Sequence, residues 1–187
     1  MGNSGLDAII FVITSLAQLY LLILLLRFLM PWLGINFNNP LSQGVLKLTS
    51  PLVVPLRRIL PAIGKIDTAT LVVAFAIQYL LILVIVLMRG YPPEIVPIAV
   101  TALVDLGILT IRLFIFAIII KIVLSWISGP GTYNPAIAVI DAIAEPVLRP
   151  FRRIVPPMGG FDISPVFAII LLGAAAILLN GLKLIHY

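Results

Sequence analysis

Long apolar stretches alternate along the chain with short polar stretches rich in proline and arginine. Each helical residue rises about 1.5 Å, so about 20 apolar residues cross a bilayer. Apolar stretches of that length cover residues 8–30, 68–88, 94–127 and 163–182. The third stretch exceeds one crossing, and we divide it into a short interfacial helix before Asp105 and a crossing over residues 106–127. The pattern predicts an all-α membrane protein with four transmembrane helices.

The second half of the chain repeats the first at an offset of 95 residues. The matching pairs are Pro51/Pro146, Pro55/Pro150, Arg57/Arg152, Arg58/Arg153, Pro61/Pro156, Gly64/Gly159 and Asp67/Asp162. Upstream, at an offset of 94, Arg27 matches Lys121 and Gln18 matches Arg112. We expect two tandem repeats, residues 6–91 and 105–187, separated by an interfacial linker over 92–104. Because each repeat crosses twice, the repeats should be parallel and related by rotation about the membrane normal.

The basic residues indicate the orientation. Of twelve Lys and Arg residues, nine lie in the segments that join the first span to the second and the third to the fourth. Basic residues next to membrane spans are retained on the cytoplasmic side. We therefore expect a multi-pass protein of the bacterial inner membrane with cytoplasmic basic segments and both termini in the periplasm. With 62% hydrophobic and 10% charged residues, the chain lies outside the soluble class.

Two basic, proline-rich segments, residues 51–67 and 146–162, share one plan. A short amphipathic helix should start at Pro51 or Pro146, pass Pro55 or Pro150, and end at Pro61 or Pro156. Gly64 and Gly159 should permit a turn, and Asp67 and Asp162 should cap the next helix. The arginines occupy one face of each helix: Arg57, Arg58, Arg149, Arg152 and Arg153.

These five arginines admit two interpretations. In the first, they dock anionic lipid headgroups or the acidic region of a membrane protein partner. In the second, they only anchor each hairpin in its orientation.

Five polar residues fall inside apolar stretches: Gln18, Gln78, Asp105, Arg112 and Asn180. Ionisable groups at membrane depth often mark an ion or proton pathway. Alternatively, Asp105 lies at the outer boundary with Arg112 extending toward it, while the amides form hydrogen bonds between helices. Whether these residues converge on one cavity inside the bundle discriminates the two hypotheses.

Several chemistries find no support in the residues. The chain has no Cys and a single His, His186. We recognise no metal site, nucleophile–base pair or phosphate-cradling glycine loop. We therefore expect that the protein is not an enzyme, takes no metal or other cofactor and does not bind nucleic acid directly.

The motif Pro-x-x-x-Pro-x-Arg-Arg-x-x-Pro-x-x-Gly-x-x-Asp, present at residues 51–67 and again at 146–162, resembles the YggT family, called YlmG in Gram-positive bacteria and plastids. The resemblance covers essentially the whole chain and looks like the doubled proteobacterial form. It implies an inner-membrane protein associated with osmotic-stress tolerance and potassium uptake, with cell division, or with nucleoid organisation and cytochrome b6 maturation in plastids. It supplies no catalytic residue.

Two functions follow from these patterns taken together. The first is a membrane scaffold or assembly factor that acts on lipid, on a partner protein or as a homo-oligomer. The alternative is an ion channel or transport component that works as an oligomer, and the family resemblance implies potassium as its ion.

Overall fold

The computed structural model describes residues 4–127, 134–154 and 162–185. These residues form an all-helical fold, as predicted. Its helices are α1 (Ser4–Leu33), α2 (Pro40–Arg57), α3 (Thr68–Met88), α4 (Ile95–Ile127), α5 (Pro135–Ile154) and α6 (Ser164–Asn180).

Three of these helices, α1, α3 and α4, are long and apolar enough to cross a membrane. Their outward faces carry large apolar side chains such as Leu16, which is 64% exposed, and Leu103, which is 61% exposed. Side chains of this kind on an outer surface require an apolar solvent. Helix α6 is equally apolar but has 17 residues, a length of about 25 Å.

Helices α2 and α5 are longer than predicted, and the expected starts at Pro51 and Pro146 are wrong. Each begins eleven residues earlier, at Pro40 and Pro135. The cause is a local cap: Oδ1 of Asn39 accepts a hydrogen bond from the Leu41 amide at 2.9 Å, and a proline follows at the first helical position, where no N–H is needed. Asn134 does the same for α5.

The prolines at 51, 55, 146 and 150 therefore lie inside the helices rather than at their starts. Helix α2 ends at Arg57, four residues before Pro61. Pro156 and Gly159 lie outside the described residues.

Helix α4 runs without a break through Asp105, so the division into an interfacial helix and a separate crossing is wrong. The one proline near its start, Pro97, lies in the first turn, where helices tolerate it. With 33 residues the helix is about 50 Å long, which exceeds the thickness of the hydrocarbon core.

Packing follows the two halves of the sequence. Helix α1 packs on α3 and α2, helix α4 packs on α6 and α5, and α3 joins the halves by packing on α4. A perfect rotation about one axis would pair α1 with α6 in the same way. Among the described residues, α1 and α6 do not pack on each other, so the halves depart from that symmetry and leave a cleft between these two helices.

Candidate functional site

A cavity of about 760 Å³ lies at the end of the bundle where α1 begins and α3 ends. We call it the polar cavity. All five polar residues selected from the sequence line it: Gln18, Gln78, Asp105, Arg112 and Asn180. Asp7, Thr14, Arg89 and Lys183 add further polar groups to the lining. Four helices and the segment after α6 therefore contribute to one site.

Most of the charges in the polar cavity are compensated. Nζ of Lys183 lies 2.6 Å from Oδ1 of Asp105, and Nε2 of Gln78 donates to Oδ2 of the same carboxylate at 2.9 Å. At the mouth, Arg89 lies 3.6 Å from Asp7. Arg112 is exposed and has no ion-pair partner in the part of the chain that the structure describes. Among the described residues, Asp105 is ion-paired with Lys183 and not, as the sequence had suggested, with Arg112.

The walls that α1 and α4 contribute occupy equivalent positions of the two halves. At an offset of 94 residues, Phe11 corresponds to Asp105, Thr14 to Ile108 and Gln18 to Arg112, and all six residues line the polar cavity. In the first two pairs an apolar residue on one helix stands at the position of a polar residue on the other. The same helix face is therefore used twice with different chemistry.

An apolar layer closes the polar cavity toward the far end of the bundle. Leu21 and Leu24 have no exposed surface and pack in one cluster with Val73, Ala74 and Leu106. A tightly packed layer of this kind leaves no room for water. This packed cluster contains no described residue of α6, so it bounds the cavity on the side of the first half.

At the far end, one carboxylate ties the three helices of the first half together. Arg27 of α1 is only 3% exposed. Its Nη1 donates to Oγ1 of Thr49 in α2 at 2.7 Å, and its Nε lies 3.7 Å from Oδ2 of Asp67. Asp67 also accepts hydrogen bonds from Arg57 and, at 2.7 Å, from the Thr70 hydroxyl. As the N-cap of α3, Asp67 connects that helix to α1 and α2.

The second half contains the equivalent network with more carboxylates. Lys121, which corresponds to Arg27, lies 2.8 Å from Asp141 and 3.1 Å from Glu145. Arg152 donates to Glu145 at 2.9 Å and, through Nε, to Asp162 at 2.8 Å. Asp162 accepts from the Ser164 amide at 3.0 Å at the start of α6. The result is a chain of ion pairs across α4, α5 and α6.

The pKa values of these carboxyl groups are lowered. Burial acts to raise the pKa of Asp67, but hydrogen bonds from Thr70 and Arg57 outweigh it. The same balance holds for Glu145, where burial is outweighed by Lys121 and Arg152, and for Asp162, where Ser164 and Arg152 prevail. All three groups are therefore ionised at neutral pH and act as fixed negative partners.

The five arginines of the basic segments fall into two groups. Arg57 and Arg152 form ion pairs with Asp67 and Asp162, although their side chains remain 45% and 34% exposed. Arg58, Arg149 and Arg153 are exposed and make no ion pair with any described residue. The structure thus separates arginines that hold the helices from arginines that are free to meet an external group.

Sequence reasoning missed the importance of Arg27, Lys121 and Glu145. Arg27 and Lys121 occupy matching positions, which could have indicated a shared role. Glu145 lies four residues after Asp141 and seven before Arg152, so all three share one helix face. That spacing was the available signal for the second network.

Comparison with known proteins agrees with the repeat pattern. The CCB3/YggT family model matches residues 6–88 and again residues 100–183. An uncharacterised Pseudomonas aeruginosa protein is 42% identical over 167 residues, 88% of this chain and 84% of that protein. The uncharacterised protein YggT of Escherichia coli K12 is 37% identical, covering 89% and 86%. No solved structure matches the chain.

Three helices that are long and apolar enough to cross a membrane define a helical membrane protein. Within that class, the two matches to the family model and the level of identity place the chain in the CCB3/YggT family.

Proposed function

We propose that the chain is a four-span protein of the bacterial inner membrane with both termini in the periplasm. Seven of the twelve basic residues lie in the segments that include α2 and α5, and Arg27 and Lys121 lie in the last third of α1 and α4 next to them, which supports a cytoplasmic location for that end. Helix α6, at about 25 Å, would cross as the fourth span because a bilayer thins around a short helix, and the longer helices fit the same thickness by tilting. In this orientation the polar cavity faces the periplasm.

The proposed function is the binding of an ion or a small polar solute that enters the polar cavity from the periplasmic side. The observation that carries it is the convergence of five separately predicted polar residues on one cavity. Polar groups inside a membrane bundle are costly, and lining a hydrated space removes that cost. Two equivalent positions, Gln18 and Arg112, lie at the deep end of the lining, where they would meet the solute together.

The apolar layer around Leu21 and Leu24 argues against a continuous pore. A continuous pore would need polar or open space at that level, whereas both side chains are fully buried. The protein is therefore a one-sided binding component rather than an open channel in this conformation. Transport across the membrane would require this layer to open or a second protein to complete the path.

Accessibility of single cysteines tests this arrangement, because the chain has no Cys of its own. A membrane-impermeant thiol reagent added from the periplasmic side should label Gln18→Cys and leave Leu21→Cys unlabelled. Both positions lie on α1, so the contrast reports the depth of the cavity. Labelling of Leu21→Cys as fast as Gln18→Cys would contradict a closed apolar layer.

Growth under osmotic stress in a strain that lacks the gene tests the function itself. Gln18→Leu should fail to restore growth at normal abundance, because it removes a polar group from the cavity. Ser15→Leu is the matched control, since Ser15 is on the same helix, exposed and outside the lining. Equal rescue by both variants would overturn the proposal.

A second candidate function, a scaffold or assembly factor, is supported by the three unpaired exposed arginines. Arg58, Arg149 and Arg153 would dock anionic headgroups or an acidic partner at the cytoplasmic surface. The triple Gln variant should insert normally, because Arg27, Lys47, Lys65 and Lys121 still set the orientation. Loss of rescue by this variant, with full rescue by the cavity variant Gln18→Leu, would favour the scaffold.

A further inference from the structure

The two ion-pair networks differ at two positions, where the second half has carboxylates and the first half has none. In the second half, Glu145 places one carboxylate against both Lys121 and Arg152. In the first half the equivalent residue is Ser50, and the residue equivalent to Asp141 is Leu46. Arg27 and Arg57 therefore share Asp67 without the second and third carboxylates that Lys121 and Arg152 have.

A cavity of about 380 Å³ is lined by Leu46, the residue equivalent to Asp141, and by Arg27, whose Nη1 lies 3.4 Å from the Ser50 hydroxyl. Its charged lining is Arg27, Arg57, Lys65 and Asp67, so three cations face one carboxylate. Nε of Arg27 is buried and has no hydrogen-bond partner among the described residues. A buried guanidinium N–H without an acceptor carries a substantial free-energy cost, which an oxyanion in this cavity would remove.

We propose that this cavity is a phosphate-binding site formed by Arg27, Arg57 and Lys65. The surplus of two positive charges suits a phosphate group better than a single carboxylate, and arginine side chains bind phosphate oxygens in a bidentate manner. The phosphate comes from a phospholipid headgroup or from free phosphate, since both present the same oxygens. This site lies at the opposite end of the bundle from the polar cavity and does not depend on the function proposed for that cavity.

The backbone around Lys65 is organised to hold it at this cavity. The amides and carbonyls of Ile63 and Ile66 form two mutual hydrogen bonds of 3.0 Å, which close a tight turn. Gly64 in the turn has φ of 61°, a left-handed conformation that favours glycine. The turn places Lys65 beside the Arg27 and Arg57 side chains in the cavity lining.

The internal comparison gives a direct test: Ser50→Glu should supply the missing carboxylate from within the chain. The full-length protein is purified in detergent and its thermal midpoint is followed with inorganic phosphate against chloride at matched ionic strength. A second arm compares nanodiscs of phosphatidylglycerol with nanodiscs of phosphatidylcholine. The wild type should be stabilised in at least one arm, and Ser50→Glu should lose that response while remaining as stable as the unliganded wild type.

The two arms identify the source of the phosphate: a response in detergent indicates free phosphate, and a response confined to phosphatidylglycerol indicates lipid. Glu145→Ser serves as a control: Lys121 and Arg152 keep Asp141 and Asp162 as partners, so this variant creates no surplus of positive charge and should gain no phosphate response. Wild type that responds in neither arm, or Ser50→Glu that keeps the full response, would overturn the proposal.

Lys65→Gln provides an independent variant in case Ser50→Glu does not accumulate. Lys65 is exposed, so its replacement should leave folding intact. Loss of one charged contact should raise the concentration of phosphate or anionic lipid needed for half of the effect by about tenfold. Lys47→Gln removes an exposed charge from α2 outside the cavity and should leave that concentration unchanged. Equal behaviour of the two variants contradicts the site.

Discussion

Nζ of Lys183 lies 2.6 Å from Oδ1 of Asp105, so a residue beyond the end of α6 is bound to the interior of α4. Two residues further on, the amide of Ile185 donates to Oγ1 of Thr101 at 3.2 Å. These contacts hold the segment after α6 along α4, where Lys183 and Ile185 form one wall of the polar cavity. The wall therefore depends on an ion pair rather than on helix packing alone.

Lys183→Met should lower the thermal stability of the purified protein and loosen this wall. The two side chains are 18% and 12% exposed, so removing the cation leaves a largely desolvated carboxylate with weaker compensation. We expect a loss of about 1–3 kcal/mol in the free energy of unfolding. Thermal midpoints in detergent measure it, with Lys47→Met as the control for loss of an exposed charge. Equal midpoints for the two variants would contradict the ion pair.

Arg152→Gln and Arg153→Gln should behave differently although the residues are neighbours in the sequence. Arg152 binds both Glu145 and Asp162, whereas Arg153 is exposed and has no ion pair among the described residues. Arg152→Gln should cost about 1–2 kcal/mol of stability, and Arg153→Gln should cost almost nothing. Chemical denaturation of both variants in the same detergent tests this contrast. A similar loss of stability in both variants would mean that the ion pairs of Arg152 contribute nothing beyond the effect of removing an exposed charge.

Acidification should destabilise the protein through the carboxyl groups whose pKa values are lowered. A group with a lower pKa in the folded state stabilises that state above its unfolded pKa and loses this contribution as the pH falls through the folded pKa. Because the pKa of Asp162 is lowered by Ser164 and Arg152 against the effect of burial, the thermal midpoint should hold from pH 7 to about 5 and fall below about 4.

The Asp162→Asn variant should show a shallower fall over the same acidic range, because one of the groups responsible has been removed. Its midpoint at pH 7 should already be lower than that of the wild type. A wild-type profile that stays level below pH 4, or a variant profile as steep as that of the wild type, would exclude this group as a contributor.

Cysteine labelling can also determine the proposed topology. Lys65 and Tyr91 are both exposed and lie at opposite ends of α3. In intact cells with a permeabilised outer membrane, Tyr91→Cys should react with an impermeant reagent, and Lys65→Cys should react only after the inner membrane is opened. The reverse pattern would place both termini in the cytoplasm and overturn the proposed orientation.

The sequence predicted the helical fold and the polar residues of the cavity because both leave strong local patterns. Apolar stretches separated by prolines indicate spans, and isolated amides and charges such as Gln78 and Asp105 stand out within them. The start of α2 was missed because the prediction began the helix at Pro51, whereas Asn39 and Pro40 cap and start it eleven residues earlier. The pairing of Asp105 with Lys183 joins residues 78 positions apart, and no spacing rule predicts such a contact.

The role of Arg57 and Arg152 was also beyond reach from the sequence. On a helical wheel they share a face with Arg58 and Arg153, so all four appear equivalent. Arg57 and Arg152 form ion pairs because Asp67 and Asp162, which precede α3 and α6, lie next to them. Only the tertiary arrangement distinguishes an arginine that stabilises the bundle from one that is free on its surface.

The α1 and α4 walls of the polar cavity come from equivalent positions on one polypeptide, and this has a consequence for how the site can evolve. In a dimer of identical half-length chains, every substitution would appear in both walls at once. On a duplicated chain, Gln18 can change while Arg112 is kept, and one half can have Phe11 where the other half has the carboxylate of Asp105. The covalent link also lets the cavity form at any protein concentration. Its two walls can therefore evolve different residues without the risk that the two halves dissociate.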